Sequence, residues 1–357
     1  MATRNYSIFG IRMLLVFMLL ISTYASKADS ISEPSKTRRA TLFESTTKVL
    51  PVKIIADWPK VWADTGLYPS EHQGFLEFIE GEKAIKLSVK ISLRGDFRLK
   101  GDHCSLKPIR LNFKKKEVVN TVWEGQDKLK IVLQCQSKGE EYKSAVLNEF
   151  IAYRILNRLT DVSYKVKLLE INLKGFDGSE FGSQIAGFAL ESDEELENRL
   201  SGQFIKVHNI HPNYVNLEQM LTIALFEFMI GNTDWSVKAL HNIKLLGVVG
   251  GPPVPVAYDF DFSGIVNAPY AIPAPHLPIS TVRERYYNGH CRPIEELAKQ
   301  KKLFNDRHDL IIQELEILKA IDLKSYEFSK NYIDEFYDIL NTGDLSESVF
   351  MKSCRKD

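Results

Sequence analysis

The sequence has no surplus charge of either sign: across 357 residues, 46 Lys and Arg are matched by 46 Asp and Glu. Chains that hold nucleic acid or an anionic membrane through their overall field carry a basic excess, so no nucleic-acid partner is expected. The four cysteines, Cys104, Cys135, Cys291 and Cys354, include no C-x-x-C pair, which leaves a zinc site without support. No internal repeat or low-complexity tract is present, which excludes a solenoid. No G-x-G-x-x-G loop is present to cover nucleotide phosphates. Beyond the N-terminal apolar run, no stretch is long and apolar enough to span a bilayer.

What is present begins at the N-terminus. Arg4 and Arg12 precede an apolar run from Met13 to Ile21, and small residues follow in Thr23-Tyr24-Ala25 and Ser26-Lys27-Ala28. Basic, apolar, then small is the order of a cleavable secretory signal, and the run is about half the ~20 residues a spanning helix needs. Residues 1–28 therefore read as a signal peptide, and the protein as secreted, periplasmic or cell-surface. Residues 29–45 read as a flexible leader. Export permits disulfides. Four cysteines allow three pairings; Cys104 with Cys135 and Cys291 with Cys354 are the pairings within each half, and free buried thiols remain open.

The hydrophobic content of 44% suits one large domain or two lobes. The chain becomes β-like from Gly81. Residues 84–93 alternate apolar and polar, as do Ile109, Leu111 and Phe113, and residues 129–133 form a third strand. Residues 142–159 read as a long helix with Val146, Phe150, Tyr153, Ile155, Leu156 and Leu159 inward. Residues 165–173 and 184–190 read as a strand pair around the turn Gly175-Phe176-Asp177-Gly178-Ser179. Residues 303–340 read as two amphipathic helices covering the core.

Chemistry concentrates later. Leu217, Met220, Leu221, Ala224, Leu225 and Phe228 recur at helical spacing and lead into Gly231-Asn232-Thr233-Asp234-Trp235. A strand follows Asn242, Gly250-Gly251-Pro252-Pro253 is a turn, and a second strand ends on Asp259-Phe260-Asp261. Phosphoryl transfer can use this order. One Asp orients the attacking hydroxyl, while an Asn and a second Asp hold the metal that bridges nucleotide phosphates. Asp259 and Asp261 lie two apart on an extended chain and so point to one side, as metal ligands or as a plain turn. His208, His211 and His241 have no helical-pair spacing and read as packing or surface residues.

Several of these segments resemble a known family. Ile91-Ser92-Leu93-Arg94-Gly95-Asp96 with Lys107-Pro108-Ile109-Arg110-Leu111-Asn112-Phe113 resembles the RGN…K-P-[FY]-R-[IL]-x-F segment of CotH kinase-like proteins. The helix from Leu147 to Leu159 is similar to that family's R-N-x-L-A-Y-x-L-x-R-x-L-G helix, with Leu147 in place of its Arg. Ala186-Gly187-Phe188-Ala189-Leu190-Glu191 resembles its strand and lobe junction. Gly231-Asn232-x-Asp234-Trp235, Asn242-Ile243-Lys244 and Tyr258-Asp259-Phe260-Asp261 resemble its catalytic and metal segments. The match covers roughly residues 85–265.

The resemblance implies an α+β, two-lobed protein-kinase-like fold: a strand-rich N-lobe (46–191) and a mainly helical C-lobe (192–357) carrying the catalytic loop and metal-binding hairpin. It implies ATP and a divalent ion, Mg²⁺ or Mn²⁺. It makes Asp234 catalytic, with Asn242, Asp259 and Asp261 at the metal. Lys107 becomes the phosphate-binding Lys, with Arg110 as its rival, and Glu191 lies near the adenine end. Glu149 pairs with the cleft Lys or is surface charge. The expected activity is phosphate transfer from ATP to a hydroxyl of a protein or glycan acceptor outside the cytoplasm. Two alternatives stand beside it: a pseudokinase serving as a surface scaffold or binding protein, and a secreted hydrolase using paired carboxylates.

Overall fold

The strand-rich part of the chain closes on itself. The computed structural model describes residues 41–44, 48–100 and 103–356. The expected signal peptide (1–28) and most of the leader (29–40 and 45) lie outside them. Strands β1 (Leu50–Ala56), β2 (His72–Glu80), β3 (Lys83–Leu93), β4 (Ile109–Phe113), β5 (Lys128–Leu133), β6 (Val166–Lys174) and β7 (Glu180–Leu190) form a closed barrel in the order β1-β2-β3-β4-β5-β7-β6. Neighbours run antiparallel except at one seam, where β1 lies parallel to β6 with Val52 opposite Ile171 and Ile54 opposite Leu173.

The closure follows from period-two patterning. Val52, Ile54 and Ala56 of β1 point inward, as do Leu76 and Phe78 of β2, Leu87, Val89 and Ile91 of β3, and Ile109 and Leu111 of β4; all are buried in one cluster with Trp58 and Trp123. Gly74 of β2 permits a close approach between its neighbours β1 and β3. A Cβ there would stand 2.6 Å from the Ile91 side chain and 2.7 Å from the Ile55 carbonyl oxygen.

A second core lies outside the barrel. Helix α1 (Trp58–Ala63) follows β1, and helix α2 (Glu140–Leu159) lies between β7 and a layer of later helices. That layer comprises α4 (Leu217–Ile230), α5 (Ile294–Asp306), α6 (His308–Ile321), α7 (Leu323–Asn341) and α8 (Gly343–Lys352). Between them come α3 (Asp193–Leu200), closed at its start by a capping box of Ser192 and Glu195, and a small sheet. Its strands are β8 (Gln203–Ile205), β9 (Ile243–Gly247) and β10 (Val254–Ala257), ordered β10-β9-β8. Disulfides join Cys104 to Cys135 and Cys291 to Cys354. Among the described residues no helix is long and apolar enough to cross a membrane.

The expected two-lobed kinase-like fold is therefore corrected. The strands make a closed seven-stranded barrel with eight α-helices and a separate small sheet among the described residues, and Ala40–Asp357 is one compact unit. The reason lies in residues 50–80, where the sequence reading placed no strand. They supply β1 and β2, and β1 bridges β2 to β6.

Parity along β1 makes a testable contrast. Ile54 is fully buried in the barrel, whereas Ile55 points outward and is half-buried. Ile54→Ala should lower stability by about 2–5 kcal/mol in urea unfolding, and Ile55→Ala by about 1 kcal/mol or less. Equal losses would mean that β1 does not close a barrel in solution.

Candidate functional site

Helix α4 ends where the chemistry begins. Gly231 takes a left-handed conformation (φ 68°), and a Cβ on it would fall 2.0 Å from the Tyr332 hydroxyl, so only glycine fits. The chain then folds Asn232 back. Its backbone N–H donates to the Glu227 carbonyl (2.7 Å), its side-chain amide donates to the Glu227 carboxyl (2.9 Å), and its side-chain oxygen accepts from the Asp234 N–H (3.0 Å). Asp234 is thereby held by a buried helix end. Burial, aided by the nearby Asp234 and opposed by the Asn232 hydrogen bond, pushes Glu227 up to about 8. Glu227 is thus a neutral acid at neutral pH.

The eight-residue step from Asp234 to Asn242 is taken up by a small bridged loop. Ser236 and His241 exchange both backbone hydrogen bonds (2.9 and 3.0 Å), and Leu240 and Asn242 take left-handed φ values of 51° and 52°. The loop returns Asn242 onto Asp234. Its amide donates to the Asp234 carbonyl (2.7 Å) and to Oδ2 (3.1 Å), while His241 Nε2 lies 2.8 Å from Oδ1.

The second acidic segment begins after β10. Asp259 is left-handed (φ 66°), a conformation Asp tolerates, and its N–H donates to the Tyr153 hydroxyl of α2 at 2.8 Å. One turn earlier on α2, Glu149 is buried. Burial, then the charges of Asp261 and Asp259, raise Glu149 well above the usual carboxylate range, against Arg98 and Arg94. Asp261 is pushed up to about 7 by burial and then by Asp259, against Arg98 and a hydrogen bond from the Tyr270 hydroxyl (2.9 Å). Asp234 adds to that rise, which puts both acidic segments in one field. Burial lowers Arg94, and Asp259 leads the groups that oppose this. Arg98 donates to the Leu133 carbonyl. Three acids thus share two guanidinium groups.

A cationic rim adjoins them. Lys130 of β5 and Lys244 of β9 both reach Asp193 (3.2 and 2.6 Å), and the Tyr164 hydroxyl donates to the same carboxylate (2.9 Å). Burial would raise Asp193, but Lys130, Lys244 and Tyr164 hold it down to about 2. Lys130 is pushed down to about 8 by burial and by Lys244, against the pull of Asp193, with Arg94 adding repulsion. The ammonium of Lys244 lies 5.2 Å from the ring centres of Phe204 and Tyr258. Arg110, Lys115, Lys128 and Lys130 line a cavity of about 440 Å³ together with Asp127, Asp193, Glu194 and Glu195.

The expected residues distribute unevenly over this site. Asp234 and Asn242 meet directly, and Asp259 and Asp261 share the buried cluster. Arg110 lines the cavity. Lys107 instead donates to the Leu99 carbonyl (3.3 Å). Glu191 forms a bidentate pair with Arg199 (2.9 and 2.8 Å) and accepts from the Lys165 N–H (3.0 Å), so its carboxylate is spent on fixing α3. The cations that face Glu149, Asp259 and Asp261 are Arg94 and Arg98, while Lys130 and Lys244 pair with Asp193; none of the four is named from the sequence as a site residue. Arg94 and Lys244 stood inside the quoted motifs, and that was their one available signal. No protein-family model matches the chain, and no curated protein matches it. The likeness to CotH kinase-like proteins therefore rests on the quoted motifs alone.

Glu227 provides a pH test of this geometry. Below 4.5, the ordinary value, both folded and unfolded chains hold its proton; between 4.5 and about 8 only the folded chain does. Its contribution to stability is thus complete below 4.5 and declines as pH rises, by about 1.4 kcal/mol per unit. Glu227→Gln keeps a neutral side chain and should flatten the fall in unfolding free energy between pH 5 and 8. An unchanged slope would mean that Glu227 ionises normally in the folded protein.

Proposed function

We propose that the protein is an exported phosphotransferase that moves a phosphoryl group from a nucleoside triphosphate, ATP being the expected one, to a hydroxyl of a protein or other extracytoplasmic acceptor. The observation that carries this reading is the adjacency of unlike fields. Asp234 and Asp259 both act on Asp261, Asp259 acts on Arg94, and Arg94 in turn lies in the field of Arg110 and Lys130. Phosphoryl transfer is mainly positioning and charge stabilisation, and it needs cations for the phosphates with a carboxylate at the acceptor.

The residues fit a hard divalent cation only in part by themselves. Among the described residues no three His, Cys, Asp or Glu side chains converge as a metal site. Mg²⁺ at phosphoryl-transfer sites is commonly held by one or two carboxylates, with phosphate oxygens and water completing the shell. Asp259 and Asp261 supply that number; burial first, and then the charge of Asp259, push Asp261 up, and a cation bound between them would favour its charged form. Bound there, Mg²⁺ or Mn²⁺ would neutralise phosphate charge. The chain's own residues do the rest. Arg110 and Lys130 attract the phosphates, Arg94 keeps Asp259 in place, and Asn242 holds Asp234 toward the acceptor. The two disulfides support export, since such bonds persist in oxidising compartments.

One observation favours a second reading, nucleotide binding without turnover: the expected phosphate-binding Lys107 is engaged by Leu99. Paired measurements separate the two. Asp259→Ala should abolish metal-dependent ATP binding in calorimetry. Asp234→Ala should keep binding within about threefold and lose at least ~10²-fold in transfer rate. Binding without transfer in the unaltered protein selects the second reading; no ATP binding with either metal rejects both.

A further inference from the structure

We propose that a cavity bounded by the C-terminal half of α2, the turn before β6 and Arg199 of α3 is a second anion site. It takes a phosphate or a small phosphomonoester, and it is separate from the rim at Arg110 and Lys130. The assignment does not depend on phosphotransfer.

The cavity measures about 270 Å³, near the ~300 Å³ at which small-molecule sites begin. Its cations are Arg154 and Arg158 of α2, Lys165 from the turn before β6, and Arg199 of α3. It shares no lining residue with the cavity at Arg110; on α3, Arg199 lines one and Asn198 the other.

The arginines are fixed before any ligand arrives. Arg154 is nine-tenths buried, and its Nε and Nη2 donate to the buried Glu314 at 2.7 and 2.9 Å. Arg158 also spends Nε and Nη2 on Glu314, so one carboxylate serves two guanidinium groups. Nη1 of each arginine has no hydrogen-bond partner among the described residues, and neither nitrogen is sealed from solvent. Arg199 is spent on Glu191 and on the carbonyls of Asp161 and Ser163, and it forms a fixed wall. Lys165 is half-buried, and its ammonium has no partner among the described residues. Two carboxylates also line the cavity: Glu44 accepts from the Thr41 N–H at 2.9 Å, and Asp161 is exposed. Arg154 bears on Lys167 as well; burial first, then the Arg154 charge, push that buried lysine down to about 8.

Two guanidinium nitrogens and an ammonium, arriving from two elements, match a ligand that offers acceptor oxygens in several directions. A phosphate or phosphomonoester does so, whereas a single planar carboxylate has two oxygens in one plane. The planar guanidinium is pre-organised for such contacts, and here Glu314 holds one edge of each arginine while the other stays open.

The test is calorimetry on the full chain at neutral pH, with ionic strength held constant by sodium chloride. The titrants are inorganic phosphate, glycerol phosphate and succinate. The starting protein carries Arg110→Gln and Lys130→Gln, so that the rim contributes little. Inorganic phosphate should bind it. Adding Lys165→Gln or Arg158→Gln should weaken that binding about tenfold or more. Lys83→Gln, at an exposed lysine that begins β3, should change it less than about twofold. Thermal melting checks the fold of each variant, and two variants on different elements keep the test decisive if one does not fold. Unchanged binding in Lys165→Gln and Arg158→Gln overturns the site. An equal loss in Lys83→Gln shows a general field only and overturns it too, as does phosphate that binds no better than chloride. Glycerol phosphate binding as tightly as inorganic phosphate identifies a phosphomonoester, and binding of inorganic phosphate alone identifies the free ion; both uphold the site. Succinate binding in place of phosphate overturns the phosphate assignment.

Discussion

The site depends on a helix that has almost no free face. Along α2, Glu140–Leu159, the residues from Ala145 to Leu156 are buried without a break. One side packs on Phe188 of β7, and the other meets the later helices. Such a helix cannot place its polar residues in water, so each must find a partner. Asn148 accepts from the Ser329 hydroxyl, and Arg154 makes two bonds to the buried Glu314. Glu149 and Tyr153, one turn apart on a common side, face the acids that follow β10. A buried carboxyl and a buried hydroxyl are tolerable there because Arg94 and Arg98 arrive from the loop after β3. The barrel and the loop after β3 supply Lys130, Arg94 and Arg98, the helix supplies the floor, and the segment after β10 of the small sheet supplies Asp259 and Asp261.

The loop from Asp234 to Asn242 solves a related problem. A loop of that length has room for many conformations, and fixing them costs entropy. Here the Ser236–His241 bridge closes the loop on itself, and two left-handed residues turn it. Asn242 is then set against Asp234 as it would be by a shorter connection. At the other end, Asn232 ties Asp234 to the neutral Glu227 of α4. The carboxylate is thus anchored from both sides of the chain by groups with little freedom to move.

This accounts for what could be read from the sequence and what could not. The periodic apolar positions of α4, the Gly-Gly-Pro-Pro hairpin and the clustering of Asp234, Asn242, Asp259 and Asp261 are local signals, and each has its counterpart in the structure. Barrel closure was not legible. The alternation in β1 stops at Trp58-Pro59, where α1 begins, and its partner β6 lies far along the chain, beyond β5 and α2. Parity showed which face a strand residue takes, but not what that face would meet. Lys107 and Glu191 therefore had the right chemistry for the wrong neighbours, Leu99 and Arg199. The arginines that face Asp259 and Asp261 come from the loop after β3, and the lysines that pair with Asp193 come from β5 and β9; only the tertiary fold brings them together.

Charge balance at the site carries the last step. Glu149, Asp259 and Asp261 gather about Arg94 and Arg98, and burial, then the charge of Asp259, push Asp261 up to about 7. On the rim Lys130 is pushed down to about 8 by burial and then by Lys244, although Asp193 is bound to both lysines. On both sides burial disfavours the charged form, and a nearby charge of the opposite sign would restore it. A ligand carrying only phosphate would relieve the rim and aggravate the acids; a cation alone would do the reverse. On the proposed reading, a metal–polyphosphate would present both charges together, close to one another, to a surface whose acidic and basic side chains are adjacent.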